Sequence, residues 1–379
     1  MMPGAKGAID YQEVSMSIRI AGRIAGSMVC AIAAGVLAFG APGVGAKEWK
    51  MTAGASHPPI IPWVQVIRDY VVPESNRMLK ELGIPDSIKW TQAYAGALYN
   101  FKNTLEGVGD GLADIGWVGT LWEPAKMPLQ NVSFHAPFAT GNVNHLIEIQ
   151  EEMHQNIPAM KAAWRKHNAV FLGGQVADTY HIVSKFPLTS LDQLRGRKIL
   201  APGPAANWLK GTGATAVDVG LPIYYNSLKT GVADAGIIIT TGMLPFKLHE
   251  VAPYIVKVDL GSPMSGALAM NLDTWKSLPP HMKVMFRFLG REYARKQTDI
   301  VAAKVRLFMK IMAKQGATIT EFPAAERQKW VDVLPDLAGD WVKRNEAKGL
   351  PAKAVLSAFM DGVRKRGGKP ARNWDKAGV

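Results

Sequence analysis

GLADIG, Gly111–Gly116, and GVADAG, Gly231–Gly236, share one pattern, Gly-apolar-Ala-Asp-apolar-Gly, and begin 120 residues apart. A helix-spaced stretch precedes each copy, Leu98–Glu106 in the first and YYNSLKTG, Tyr224–Gly231, in the second. An apolar run follows, IGWVG from Ile115 and GIIIT from Gly236. A helix ending at glycine, a short turn carrying Asp and a strand apolar on both faces form one αβ turn of an open sheet. Two such turns predict an α/β chain built as two similar lobes.

Length agrees. The 379 residues exceed what one core supports, since cores stop growing beyond about 250–300 residues. Apolar residues at 48% and charged residues at 20% are ordinary for a globular chain and leave ample material for a core. Near the N-terminus Arg19 and Arg23 precede the apolar run Ile24–Phe39, and Val44-Gly45-Ala46 offers small residues for a peptidase. Residues 1–46 therefore read as a secretory signal peptide, with Met16 a more natural start than Met1. The run is shorter than the roughly 20 residues that span a bilayer. Export places the mature chain in the periplasm.

The single cysteine, Cys30, lies in this segment, so a chain starting at Lys47 has no disulfide, cysteine nucleophile or thiolate metal site. Residues 1–46 hold Lys6, Arg19 and Arg23 against Asp10 and Glu13, so the mature chain keeps +12 of the formal +13. The cations are scattered except in VRKRGGKPAR, Val363–Arg372, which reads as a solvated tail; nucleic acid is not an expected partner.

KEWKMTAGA from Lys47 alternates as a strand, and HPPIIP from His57 is a turn-rich loop. Trp63, Ile67, Tyr70 and Val71 fall at helical spacing, Pro73 kinks or restarts the helix, and Leu82-Gly83 closes it before the strand IKWTQAY. From His281 to Gly316 no proline occurs, and Val301, Val305, Phe308 and Met312 mark one helical face. This predicts a helix on the order of 50 Å long that crosses between lobes, with a break near Gly290 left open.

Enzyme signatures are missing. There is no Gly-x-Ser-x-Gly elbow and no His-Glu-x-x-His, and HLIEIQEEMH, His145–His154, reads as an amphipathic helix with its acids on the wet side. The glycines at 107, 109 and 111 follow a helix and precede a strand, the reverse of a phosphate loop. No metal or cofactor is expected, and no catalytic residue.

Four further stretches carry a family likeness: TQAYAGALYNFKNTLEGVGDGLADIGWV from Thr91, LQNVSFHAPF from Leu129, LTSLDQLRGRKILAPG from Leu188 and MNLDTWKSLPP from Met270. In this order, behind a signal peptide, they resemble the substrate-binding proteins of tripartite ATP-independent periplasmic (TRAP) transporters, of the dicarboxylate-binding-protein type, across residues 47 to about 350. The resemblance implies a bilobal, type II-like periplasmic-binding-protein fold with mixed sheets, hinge strands and a long shared helix. Lobe I would comprise 47–178 plus about 264–305, and lobe II 179–263 plus about 306–379. It further implies a non-enzymatic receptor that closes over a small solute and hands it to a membrane permease, as a monomer with a dimer left open. A sensor module would use the same cleft.

Family members that carry organic acids place an arginine after Lys-Ile, whose planar fork binds carboxylate. In GRKILAPG, Gly196–Gly203, that position is Leu200. The second family arginine falls at Tyr180-His181, the lobe-two aromatic at Leu221, and the Glu-Asn pair at Ile237-Ile238. A carboxylate there would shed its water without regaining charge-assisted bonds, so the expected ligand is mainly apolar or aromatic, with few or no carboxylates. Aromatics in candidate ligand loops are Trp63, Tyr94, Tyr99, Trp117, Trp122 and Trp208, each also readable as core. Polar orientation would come from His57, Asn100, Thr120, His181, Asn207 or Thr241. Arg197, which could rescue a carboxylate, reads as a solvent-facing strand start.

Overall fold

The computed structural model describes residues 46–376; residues 1–45 of the expected export segment, with Met16 and Cys30, lie outside them. Eleven strands are described: β1 (Glu48–Gly54), β2 (Ser87–Ala93), β3 (Ile115–Val118), β4 (Ala169–Val176), β5 (Tyr180–Ser184), β6 (Lys198–Ala201), β7 (Thr215–Asp218), β8 (Ala235–Ile239), β9 (Tyr254–Lys257), β10 (Met264–Asn271) and β11 (Thr318–Glu321). They form two mixed sheets, ordered β2-β1-β3-β10-β4 and β11-β9-β5-β8-β6-β7.

The two hexapeptides perform the same task, one in each sheet. Gly111 and Gly231 take the left-handed conformation, at φ +79° and +82°, that ends the helices Thr104–Gly109 and Tyr224–Lys229. The alanine two residues on closes each turn, Ala113 N–H onto Gly107 O and Ala233 N–H onto Ser227 O. Each aspartate then pins the neighbouring parallel strand: Asp114 accepts the Thr52 N–H at 2.7 Å, and Asp234 the Lys198 N–H at 3.0 Å. The final glycines clear a tyrosine. A Cβ on Gly116 would lie 2.6 Å from the Tyr99 hydroxyl, and one on Gly236 would lie 2.9 Å from the Tyr224 ring.

The first copy departs from expectation at its helix start. Leu98–Asn103 is turn rather than helix, and the helix begins at Thr104. Asn100 Oδ1 takes the Lys102 N–H, and the turn swings the Tyr99 ring inward over Gly54, Gly107 and Gly116.

Two crossings join the sheets, Ala177–Thr179 from β4 to β5 and Val258–Pro263 from β9 to β10. They run side by side, with Ala177 N–H bonded to Pro263 O, Tyr180 N–H to Gly261 O and Leu260 N–H to Tyr180 O. The helix Pro280–Lys314 is continuous through Gly290 for 35 residues. It packs on β4 and on the helix Pro62–Val66 beside the first sheet, and on β11 and Thr240–Met243 beside the second. Gly290 serves close approach: a Cβ there would lie 2.3 Å from Leu172 O, and one on Gly173 would lie 1.8 Å from Gly290 O.

The C-terminal cations do not form a solvated tail. Arg364 pairs with Asp361 and Asp375, and Arg366 with Glu148 and Glu152. Arg372 stacks on Trp374, which is fully buried and donates to Pro137 O. The helices Leu337–Glu346 and Ala352–Lys365 thus lean on residues 129–156, which the sequence places in lobe I, whereas it predicts 306–379 in lobe II. Burying a tryptophan face of about 150–250 Å² outweighs the freedom of a charged tail whose cations find partners in place.

Candidate functional site

The carboxyl ends of β1 and β3 meet the crossings and the second sheet around a cavity of about 50 Å³. Its first wall is aromatic. The His57, Trp63 and Trp117 rings form a triangle, His57 meeting Trp63 at 5.6 Å and Trp117 at 5.2 Å, both edge-on, and the two tryptophans 5.5 Å apart. The opposite wall is Tyr180, Leu221, Ile238 and Ile239, and Trp122 with Pro202 closes one side.

Seven expected residues, His57, Trp63, Trp117, Trp122, Tyr180, Leu221 and Ile238, are therefore brought together. Why they face inward follows from strand direction. Trp117 is the penultimate residue of β3, Tyr180 opens β5, and Ile238 pairs with His181 near the end of β8, so all lie where strands give way to the interlobe gap.

The site is uncharged. Burial lowers the His57 pKa to about 4, so the ring is neutral at pH 7, and its Nδ1 lies 3.0 Å from Ser56 Oγ. Burial likewise raises the Tyr180 phenol well above its ordinary value, keeping its proton. Trp117 Nε1 donates to Gln175 Oε1 at 3.0 Å, while the buried Trp63 Nε1 has no acceptor. Among the described residues no Lys, Arg, Asp or Glu lines the cavity. Asp178 sits just behind it, fully buried, accepting from Thr241 Oγ1 at 2.5 Å and from the Thr241 N–H at 3.2 Å. Burial, partly offset by those bonds, raises its pKa to about 6.

The remaining expected residues lie elsewhere. Leu200 is fully buried and outside the cavity; it pairs with Gly236 in the sheet, and its Cβ packs toward that glycine. Tyr94 donates to Gln92 Oε1, and Tyr99 is core of the first sheet. Asn100 is spent on its own turn. Thr120 is buried, with its carbonyl taken by Asn131. His181 Nδ1 accepts the Asp259 N–H at the crossing, and burial lowers its pKa to about 4. Asn207 bonds Pro204 O, and Trp208 Nε1 donates to Phe134 O while its ring meets Tyr180 edge-on at 5.4 Å. Thr241 holds Asp178. Arg197 stacks on Phe186 beside Asp234, away from the gap.

Lining residues that the sequence reading omits are Leu121, Gln175, Ala177, Pro202, Ile239 and Ser265. Gln175, Ala177 and Ser265 border the two crossings. A polar residue at the end of an otherwise apolar strand was the available signal for Gln175. Among the described residues no cluster of His, Cys, Asp and Glu has metal-binding form, and no helix is long and apolar enough to cross a membrane.

Two sheets joined by paired crossings, a shared long helix and an aromatic cavity between them define a bilobal solute receptor. Residues 87–343 match the family described as bacterial extracellular solute-binding protein, family 7, and the chain belongs to it. It is a family of receptors, not of enzymes. A solute-binding protein of Albidiferax ferrireducens is 26% identical over 170 residues, which is 42% of this chain and 48% of the relative, so the chain spans about half the length of that curated relative. An extracytoplasmic solute receptor from Bordetella pertussis that binds pyroglutamic acid superposes with a TM-score of 0.71 at 19% identity, covering 84% of this chain and 100% of that one. A marine metagenome TRAP solute-binding protein specific for aromatic acids, crystallised with 3-hydroxybenzoate, superposes at 0.72 with 21% identity, covering 84% and 99%. At these identities the superpositions speak for the fold.

Proposed function

We propose that this protein captures a compact, mainly apolar or aromatic solute with few or no carboxylates between its lobes, in the periplasm, and delivers it as a monomer to a TRAP membrane permease. The carrying observation is the cavity wall: Trp63, Trp117, Tyr180, Leu221 and Ile238, with neutral donors and no cation among the described residues. A carboxylate held only by neutral groups gives up hydration worth several kcal/mol. The cavity of about 50 Å³ is smaller than the roughly 150 Å³ that admits benzene, so a ring enters only as the lobes part and is gripped as they return.

The proposed hinge is the pair of crossings, with lobe I as 47–178 plus 264–305. The packing of Leu337–Lys365 on residues 129–156 supports moving those helices from lobe II to lobe I.

A second reading has one specific support: pyroglutamic acid and 3-hydroxybenzoate, bound by proteins of this fold, are each a ring with a single carboxylate. Here such an acid would be met by neutral donors such as Tyr180 and Trp63. Thermal shifts of the mature protein against neutral aromatics, aromatic acids, amines and C4 dicarboxylates separate the readings. At a hundredfold excess over Kd a true ligand adds about 2.7 kcal/mol. Stabilisation by neutral aromatics supports the first reading, and by ring monoacids alone the second. Stabilisation by dicarboxylates alone overturns both.

A further inference from the structure

A groove of about 440 Å³ lies on the outer side of the first sheet, far larger than the interlobe cavity and within the usual range for small-molecule sites. Its floor is β4, the edge strand of that sheet, through Val170, Phe171 and Leu172. The floor is stiff: Phe171 stacks flat on the buried His154 ring at 3.9 Å, and His154 accepts from Trp164 Nε1.

Three helices wall the groove, and Val143–Asn156 contributes Glu151, His154 and Gln155. Pro158–Lys166 contributes Lys161 and Arg165, and Pro280–Lys314 contributes Arg287 and Arg291. Each pair is spaced i, i+4, so its helix sets two like charges side by side, an arrangement that costs a few tenths of a kcal/mol unless something relieves it. None of the four forms an ion pair among the described residues. Several arginines elsewhere are matched: Arg77 with Glu74 and Glu81, Arg295 with Glu292 and Asp299, Arg366 with Glu148 and Glu152.

One carboxylate enters the groove, Glu151, and it is already engaged, accepting the Gly174 N–H at 2.6 Å. Burial raises its pKa to about 7, with the Gly174 N–H and Arg291 pulling the other way, so a single carboxylate faces four cations, of which Arg287 also stacks on Trp275 at 4.8 Å and Lys161 donates to Gln155 O at 3.1 Å. On the rim Val284 is 52% exposed, an aliphatic surface turned to the same space.

We propose that the groove between Lys161, Arg165, Arg287 and Arg291, over Val170, Phe171 and Leu172, is a second binding site for a small organic anion with an apolar body, separate from the interlobe cavity. The guanidiniums take the acid group by charge-assisted hydrogen bonds, and the strand floor and Val284 take the body. Inorganic anions lack the second half of this recognition.

The test uses 8-anilino-1-naphthalenesulfonate as a fluorescent probe, with decanoate and inorganic phosphate as competitors. The mature protein is expected to bind one probe per chain, displaced by decanoate and not by equal phosphate. Arg287→Ala with Arg291→Ala should weaken probe and decanoate at least about tenfold, the usual weight of lost charge-assisted bonds. Val284→Glu, an exposed change that leaves the fold alone, should do likewise if the double variant does not fold. Trp117→Ala, in the interlobe cavity, should leave probe affinity unchanged. Probe binding that follows Trp117 instead, that ignores the arginines, or that phosphate displaces as well as decanoate does, overturns the proposal. So does binding to phosphatidylglycerol vesicles with none to monomeric decanoate.

Discussion

Leu200 carries the sharpest consequence at the level of single residues. The family resemblance equates it with an arginine of acid-binding members, yet here it is fully buried beside Gly236 and the Tyr224 ring rather than lining the cavity. Leu200→Arg should therefore not create a carboxylate site. An unpaired guanidinium would enter packed interior, and we expect a loss of stability of several kcal/mol, read by urea unfolding, with no dicarboxylate binding by calorimetry. Dicarboxylate binding by a stable Leu200→Arg protein would show that the side chain reaches the gap. His57, Trp117 and Tyr180 could be found from sequence because a strand end next to a loop is a position the chain announces. Leu200 could not, because which face of β6 meets the cavity is fixed by register and by how the second sheet tilts, and a period of two leaves that choice open.

Among elements, the repeated hexapeptide was readable because its chemistry is local. A glycine beyond a helix, an aspartate bonding the next strand's N–H and a glycine under a ring need only neighbours in sequence and one adjacent strand. The docked C-terminal segment was not readable, since Arg366 finds Glu148 and Glu152 across more than two hundred residues of chain. The distinction between backbone need and close approach can be measured. A Cβ on Gly231 would meet nothing within 4 Å, so this glycine owes its identity to φ +82°, and Gly231→Ala should cost about 1 kcal/mol. Gly290→Ala drives a methyl into the Leu172 backbone, which cannot move without shifting β4, and should cost about 1–3 kcal/mol. Equal losses in chemical denaturation would mean that the long helix is not held against β4 as described.

Over the whole molecule, the buried titratable groups set how stability follows pH. Burial lowers the pKa of His57, His154 and His181 to about 4 and that of His135 to about 3, from 6.5. Below pH 6.5 the unfolded chain binds protons at these four sites that the folded chain refuses, so their contribution is present above 6.5 and is lost as pH falls toward 4. Glu151, raised to about 7, and Asp178, raised to about 6, act in the opposite sense. Their contribution is full below their unfolded values and is lost as pH rises through about 7 and about 6. Four protons against two leaves the histidines in command, and at about 1.4 kcal/mol per proton and pH unit stability should fall by about 1–3 kcal/mol per unit between pH 6.5 and 5. Glu151→Gln removes one opposing group and should steepen that fall by up to about 1.4 kcal/mol per unit, while leaving the histidine part intact. Melting curves at pH 7, 6 and 5 for both proteins read the sign directly: a Tm that holds or rises on acidification would mean that these four rings are not shut away from water. The interlobe cavity shares in this balance, because below pH 6.5 His57 stays neutral only while it is buried, and Tyr180, Leu221 and Ile238 of the opposite wall complete that burial. Protonation of His57 as the lobes part, near its ordinary 6.5, opposes their return, so ligand affinity should weaken below pH 6.5 together with stability, and His57→Gln should flatten the affinity profile while the stability profile keeps most of its slope.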